Sequence, residues 1–306
     1  MKKKVLITGG SGLLALNWAI ADKHKYDIIL SYHKRKFIIE GVNSIKLNLE
    51  DYKKLIFNLI KISPDVIINT AGLTNIENCE NFPNLAEKSN VVIAKNLSKA
   101  CKDLKIPFVH ISTDHLFNGK KIYYSEKDKT NPLNIYSKTK AKAEKEVLKN
   151  YKKSLIIRTN FFCWGTDYRK SFSDFIIQNL EKKKNIYLFN DVYFTPIFTG
   201  SLIKAINSLI TKKSFGVFNI SGNERISKFE FGLRLAKIFN LNTSLIKSIS
   251  LNDNKKLTIR PKEMSLNNIF AVKKIGKKFH NLNKDILTLK KQRRKYENIL
   301  KPFIPY

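Results

Sequence analysis

Short runs of β-branched and aliphatic residues recur along the chain, at intervals filled by helix-like patterns. The runs are Val5-Leu6-Ile7, Ile28-Ile29-Leu30, Ile45-Lys46-Leu47, Val66-Ile67-Ile68, Phe108-Val109-His110-Ile111 and Leu155-Ile156-Ile157. Apolar positions at helical spacing lie near 12–23, 51–61, 84–104, 134–149, 171–183, 197–211 and 227–239, with Pro64, Pro107, Pro132, Pro196 and Pro261 at the boundaries. Buried strands alternating with helices predict an α/β fold built on a doubly wound parallel sheet. Beyond about residue 160 the rhythm weakens and aromatic residues crowd together, from Phe161, Phe162 and Trp164 to Tyr193, Phe194 and Phe198. Most of these are expected in a core, and some in a pocket between lobes. The change of texture predicts a first domain over 1–160, which also receives part of 197–217, and a smaller C-terminal domain made mainly from 161–306.

Composition narrows this picture. A chain of 306 residues, 43% of them hydrophobic, can bury a large core, and no apolar run of about 20 residues suggests a membrane span. The formal charge of +32 raises the question of nucleic acid, because neutralised phosphates reward basic surfaces. Only eight of the 57 basic residues are Arg, however, and the Lys are spread through every segment. The densest cluster, Lys290 to Lys295, shares a helical pattern with the apolar stripe Ile286, Leu289, Tyr296 and Leu300, so a solvated helix face is expected and no nucleic-acid partner. The positive field would still attract an anionic substrate. Three Cys without metal-ligand spacing and five His that never pair at i, i+4 predict neither a disulfide framework nor a metal site, which fits a reducing cytoplasm. Lys2-Lys3-Lys4 and the apolar stretch ending at Ala19-Ile20-Ala21 imitate a secretory signal, but the turn at Thr8 to Gly12 interrupts it.

That turn is the first chemical signal. Thr8-Gly9-Gly10-Ser11-Gly12-Leu13-Leu14-Ala15 follows the first strand and opens the first helix, the context in which glycines let a backbone approach a dinucleotide's pyrophosphate. Gly9, Ser11, Gly12 and Leu13 are the candidate contacts. The second strand is followed by Ser31-Tyr32-His33-Lys34-Arg35-Lys36, without the acidic residue that holds the ribose hydroxyls of NAD. Basic groups there favour the 2′-phosphate of NADP. Arg35 carries most of that argument, because a guanidinium binds phosphate bidentately and Arg is scarce here.

Tyr and Lys four residues apart share a helix face, but in so Lys-rich a chain the spacing occurs three times, as Tyr32/Lys36, Tyr123/Lys127 and Tyr136/Lys140. Only Tyr136 and Lys140 open a long helical pattern soon after a strand that ends in Ile111-Ser112-Thr113-Asp114. A nearby ammonium is expected to lower the phenol's pKa toward the working range. Thr113 then holds a carbonyl oxygen to which Tyr136 gives a proton.

With these residues assembled, nearly the whole chain resembles the extended short-chain dehydrogenases, and among them the dTDP-4-dehydrorhamnose reductases. The resemblance rests on the glycine turn, Asn69-Thr70-Ala71-Gly72-Leu73-Thr74, Ile111 to Phe117, Asn131-Pro132 through Tyr136-x-x-x-Lys140, Arg158-Thr159-Asn160-Phe161, Thr195-Pro196 and Arg260-Pro261. It implies a Rossmann-type cofactor domain, a catalytic set of Thr113, Tyr136 and Lys140, and cofactor contacts from Thr70, Ala71 and Gly72, with Asn48 and Leu49 near the adenine. Thr74, Asp114 and Phe161 match positions facing a sugar nucleotide, and Arg260 one at its diphosphate. The implied cofactor is NADP(H), with NAD(H) as the weaker choice; the implied partner is a nucleotide-sugar, in a cytoplasmic enzyme that forms a homodimer and meets no membrane. His115 departs from the usual Tyr, Asn48 from Asp and Phe161 from Trp. The alternatives left open are an epimerase or dehydratase with retained NAD(P), and a non-catalytic regulatory subunit such as that of methionine adenosyltransferase.

Overall fold

A computed structural model describes residues 1–254 and 256–301. Seven parallel strands form the central sheet: β1 (Lys4–Thr8), β2 (Asp27–Tyr32), β3 (Asn43–Lys46), β4 (Val66–Asn69), β5 (Phe108–Ile111), β6 (Leu155–Arg158) and β7 (Gly216–Asn219). Their order across the sheet is β3-β2-β1-β4-β5-β6-β7, so the winding reverses between β1 and β4. The first six are the six apolar runs of the sequence. The seventh comes from beyond the aromatic segment, where Val217 and Phe218 are too short a run to stand out.

Alternate residues of each strand divide between two cores. Val5, Ile7, Val66, Ile68, Val109 and Ile157 meet helices α1 (Leu13–Asp22) and, from the C-terminal half, Thr199–Thr211. Leu6, Ile67, Phe108 and Ile156 point the other way, onto α2 (Tyr52–Ile62) and two longer helical passes. Both faces of the sheet are therefore dry, which is why its strands read as continuous apolar runs rather than as alternation.

After α2 come α3 (Ile76–Asn81), α4 (Pro83–Glu87) and α5 (Ile93–Asp103). The helix expected over 84–104 is α4 and α5 joined by a π-helical turn, Lys88–Val92. One extra residue in a turn re-aims a side chain. Here Asn90 turns inward and bonds Thr139 Oγ1 at 3.0 Å and both backbone groups of Leu73. The next helix, α6 (Ile135–Asn150), starts at Asn134, whose side chain accepts from the Ser137 N–H at 2.9 Å and the Ser137 hydroxyl at 2.7 Å. Such a cap is worth about 1 kcal/mol, and it puts Tyr136 and Lys140 in the first turns of a fixed helix.

The remaining segments build the smaller part around short strand pairs, Ile186–Phe189 with Ile246–Ile249 and Tyr193–Phe194 with Ile226–Ser227. Helices α7 (Phe172–Glu181), α9 (Lys228–Phe239) and α11 (Leu282–Leu300) complete it, while α8 (Thr199–Thr211) and α10 (Ile269–Ile275) pack back toward the central sheet. The crowded aromatics close on Phe231, whose ring lies 5.3–5.6 Å from those of Phe162, Phe172 and Phe194. On α11, the stripe Ile286, Leu289, Tyr296 and Leu300 is buried. Its basic cluster is partly tied down, Lys290 to the Ile238 carbonyl and Arg293 to Glu181 and Glu297. Among the described residues no helix is long and apolar enough to cross a membrane.

Candidate active site

A cleft of about 590 Å³ opens at the carboxyl ends of β1, β4, β5 and β6, across the point where the winding reverses. Helices diverge to opposite faces there, which leaves a crevice in any doubly wound sheet. Gly9 has φ +68°, and a Cβ on it would lie 2.8 Å from Ala71 Cα, so the turn after β1 packs directly on the segment after β4. Gly12 is the N-cap of α1 and supplies no side chain to its N–H groups, which remain free for an anion. The second segment is fixed from below. Asn69 Oδ1 accepts from Thr8 Oγ1 at 2.6 Å and from Ala71 N at 3.2 Å, its amide contacts His110 Nδ1 at 3.0 Å, and Thr70 Oγ1 donates to the Thr8 carbonyl at 2.7 Å. Burial, with the Lys140 charge, holds His110 well below its ordinary pKa, so its neutral ring accepts from Asn69.

Thr113, Tyr136 and Lys140 line the same cleft, all buried, at 4%, 8% and 5% exposure. Lys140 Nζ donates to the Ile111 carbonyl at 2.6 Å. Burial pulls its pKa down to about 8, against the Glu144 carboxylate one turn later, which raises it. Glu144 is itself held by Arg158 in a buried bidentate pair, Nε to Oε1 at 3.0 Å and Nη2 to Oε2 at 2.7 Å. For Tyr136 the expectation of a lowered pKa is overturned. Burial raises the phenol, a hydrogen bond with Thr113 lowers it less, and the Asp114 charge raises it further. The ammonium's effect is not seen at the phenol, and desolvation, which penalises the phenolate, wins.

Of the other residues picked from sequence, Gly9, Ser11, Gly12, Leu13, Thr70, Ala71, Gly72, Thr74, Asp114 and Phe161 line the cleft. His33 and Asn48 line a second, shallower hollow of about 520 Å³ with Lys46 and Lys54. Asn48 Oδ1 there accepts from the Glu50 and Asp51 N–H groups. The Leu49 side chain is in the core, and its carbonyl accepts from Asn96. Arg35 lies outside both hollows, its guanidinium 3.9 Å from the Tyr168 ring centroid, while Tyr168 Oη donates to the Ser11 carbonyl at 2.8 Å. Arg260 pairs with Glu77 and donates to the Thr258 carbonyl.

Several groups in the cleft had no role assigned from sequence. Asn160 Nδ2 donates to Asp114 Oδ2 at 2.7 Å, and Arg169, another of the scarce Arg, donates to Thr74 Oγ1 at 2.8 Å. Rarity was the signal that singled out Arg35, and it applied equally to Arg169. Among the described residues Ser112 Oγ, His115 Nδ1 and Thr159 Oγ1 are buried without a hydrogen-bond partner, and all three residues line the cleft. Buried polar atoms are almost always paired, so such a cluster marks a place for a polar ligand. Uncapped N–H groups at one end and orphaned hydroxyls at the other fit a dinucleotide whose nicotinamide end reaches Tyr136.

Topology and cleft chemistry coincide in a single class, the NAD(P)-dependent oxidoreductases of the short-chain dehydrogenase type. Within that class the chain belongs to the family described as RmlD substrate binding domain, whose model matches residues 2–293. Among curated relatives, a probable low-salt glycan biosynthesis reductase, Agl14 of Haloferax volcanii, is 24% identical over 85% of this chain and 88% of its own length. Methionine adenosyltransferase 2 subunit beta of Bos taurus is 27% identical over 81% of this chain and 75% of its own. Among solved structures, a hypothetical dTDP-4-dehydrorhamnose reductase from Sulfolobus tokodaii superposes with a TM-score of 0.81 at 33% identity, covering 94% of this chain and 99% of that one. The dTDP-4-dehydrorhamnose reductase of Bacillus anthracis, solved in complex with NADP, does so with a TM-score of 0.84 at 23% identity, covering 95% and 100%.

Proposed function

We propose that the protein reduces a keto group, at C4, of a nucleotide-linked deoxysugar with NADPH, in the synthesis of a surface polysaccharide or glycan precursor. The observation that carries this reading is the convergence of Thr113, Tyr136 and Lys140 in one cleft with the glycine turn. NADPH supplies the hydride when bound. The protein's part is to hold the sugar's carbonyl and move one proton. Thr113 Oγ1 hydrogen-bonds the carbonyl oxygen, and Tyr136 Oη delivers a proton to that oxygen as it gains charge. The raised phenol pKa suits this direction, because the acid is fully protonated at neutral pH and the developing alkoxide is a far stronger base than a phenolate. Lys140, anchored on Ile111, adds a fixed positive charge behind the reacting oxygen, where a low dielectric makes it count.

Arg35 gives the preference for NADPH, with its planar group stacked on Tyr168 at the edge of the glycine turn. The N-terminal 160 residues together with part of 197–217 serve the cofactor, and the rest mainly the sugar. The test is NADPH oxidation, followed at the nicotinamide absorbance, with a panel of freshly prepared nucleotide 4-keto-sugars and NADH in parallel. Consumption with one sugar establishes the reductase. Silence across the panel, with NADPH bound, overturns it in favour of an epimerase with retained cofactor or a non-catalytic subunit.

A further inference from the structure

Lys228 breaks three local rules at once. It is the first residue of α9, where the helix dipole opposes a cation, although Ser227 and Glu230 cap that end reciprocally. Its ammonium lies 3.3 Å from the Phe194 ring centroid and 5.0 Å from that of Phe172, a residue of the cleft wall. Among the described residues that ammonium has no hydrogen-bond acceptor, although it carries three donors. Aromatic faces offset part of the lost hydration of a cation, but they accept no conventional hydrogen bond. Burial accordingly pulls the lysine down to about 8, even though the Asp114 carboxylate draws it upward.

Its surroundings define what would complete it. Asp114 follows Thr113 directly and is already engaged, by Asn160 Nδ2 at 2.7 Å and by Thr113 Oγ1 at 3.3 Å. His115 is also within reach of the Lys228 field: burial lowers its pKa most, the Asp114 carboxylate raises it, and the charges of Lys228 and Arg260 lower it further, so the balance favours the neutral ring. Its Nδ1 has no partner. An ammonium without an acceptor among the described residues thus packs on the cleft-wall residue Phe172, within electrostatic reach of the Asp114 carboxylate and the neutral His115 imidazole, the two residues that follow Thr113. A charged donor without an acceptor and a ring nitrogen without a partner, flanking a carboxylate that is already engaged, suit an oxygen-rich ring. A departure from local rules with no internal compensation is what a functional position looks like.

We propose that Lys228 is a specificity residue for the sugar, its ammonium donating to an oxygen substituent of the hexose ring beside the reacting carbon. This rests on the reductase reading above and adds to it that the accepted sugars carry a hydroxyl where Lys228 reaches. A hydrogen bond to a charged donor contributes about 1.5–3 kcal/mol, which corresponds to roughly 10-fold or more in affinity.

The test is calorimetric titration of the NADPH-loaded protein with dTDP and UDP, each alone and as its glucose ester, in wild type, Lys228→Met and Lys228→Arg. NADPH affinity, equal in all three, certifies the folded cleft. The expected result is that the wild type binds one glucose ester more tightly than its nucleoside diphosphate. Lys228→Met should lose about 10-fold on the ester alone, and Lys228→Arg should restore most of it. An equal loss for ester and diphosphate would assign Lys228 to the phosphates and overturn the proposal. So would no loss on either, leaving it a lysine that only packs on Phe194. A wild type that binds no nucleotide-sugar at all would instead remove the reductase reading, and this inference with it.

Discussion

The two ends of the cleft are built on opposite principles. Beneath the glycine turn the polar groups are mostly bonded to one another: Asn69 joins Thr8, Ala71 and His110, Lys140 joins Ile111, and Arg158 joins Glu144, while His110 Nε2 and Arg158 Nη1 are left without a partner among the described residues. At the proposed sugar end, Ser112, His115 and Thr159 keep buried atoms, and Lys228 an ammonium, that no described residue hydrogen-bonds. The first region is rigid because its hydrogen bonds are internal, and it can place a reacting atom without reorganising. The second has kept its bonding capacity for a ligand, at some cost in stability. A committed network fixes geometry and an open one selects among substrates, so substitutions at the two ends should fail in different ways.

The largest effect should come from the reacting group itself. Tyr136→Phe is expected to lower kcat by about 10²–10⁴-fold, with NADPH affinity unchanged in fluorescence titration. Turnover near that of the wild type would take the proton donor away from this residue. In the committed region, Arg158→Met leaves the buried Glu144 carboxylate unpaired and should cost about 3–5 kcal/mol in denaturant unfolding. The double variant Glu144→Leu with Arg158→Met should recover much of that loss. If the single substitution is silent, the network is not what fixes α6.

Smaller effects separate cofactor recognition from sugar recognition. Arg35→Glu should weaken NADPH about 10-fold more than NADH, since only the former carries the 2′-phosphate that a guanidinium grips. Tyr168→Leu, which removes the stacking face under Arg35, should reproduce part of that bias at about 1 kcal/mol or less. Equal weakening of both cofactors would separate Arg35 from the phosphate. The smallest effect is a pH slope. Lys228 titrates at about 8 in the fold against an ordinary 10.5, so between those values the unfolded chain binds more protons. Stability of the wild type relative to Lys228→Met should therefore rise as pH goes from 8 to 10.5, and the penalty should be fully present below 8. A flat difference in melting temperature across that window would mean the ammonium is well solvated.

The sequence by itself determined six of the seven sheet strands and the segments that line the inner half of the cleft. Six apolar runs became six parallel strands, because strands buried on both faces leave no alternation to misread. Glycines after the first strand, and Tyr136-x-x-x-Lys140 behind Asn131-Pro132, are local patterns whose geometry follows from the backbone of one turn and one helix. Only the tertiary structure decided the rest. It set the sign of the Tyr136 shift, since desolvation depends on what packs around a phenol and not on which residue lies four positions away. It placed Arg35 on Tyr168 across 133 positions of chain, and Arg260 on Glu77. It also brought Lys228, one of many lysines in the composition, onto the rings of Phe194 and Phe172 within the field of Asp114, because a charge becomes informative only when folding removes the water and the partners that would otherwise satisfy it.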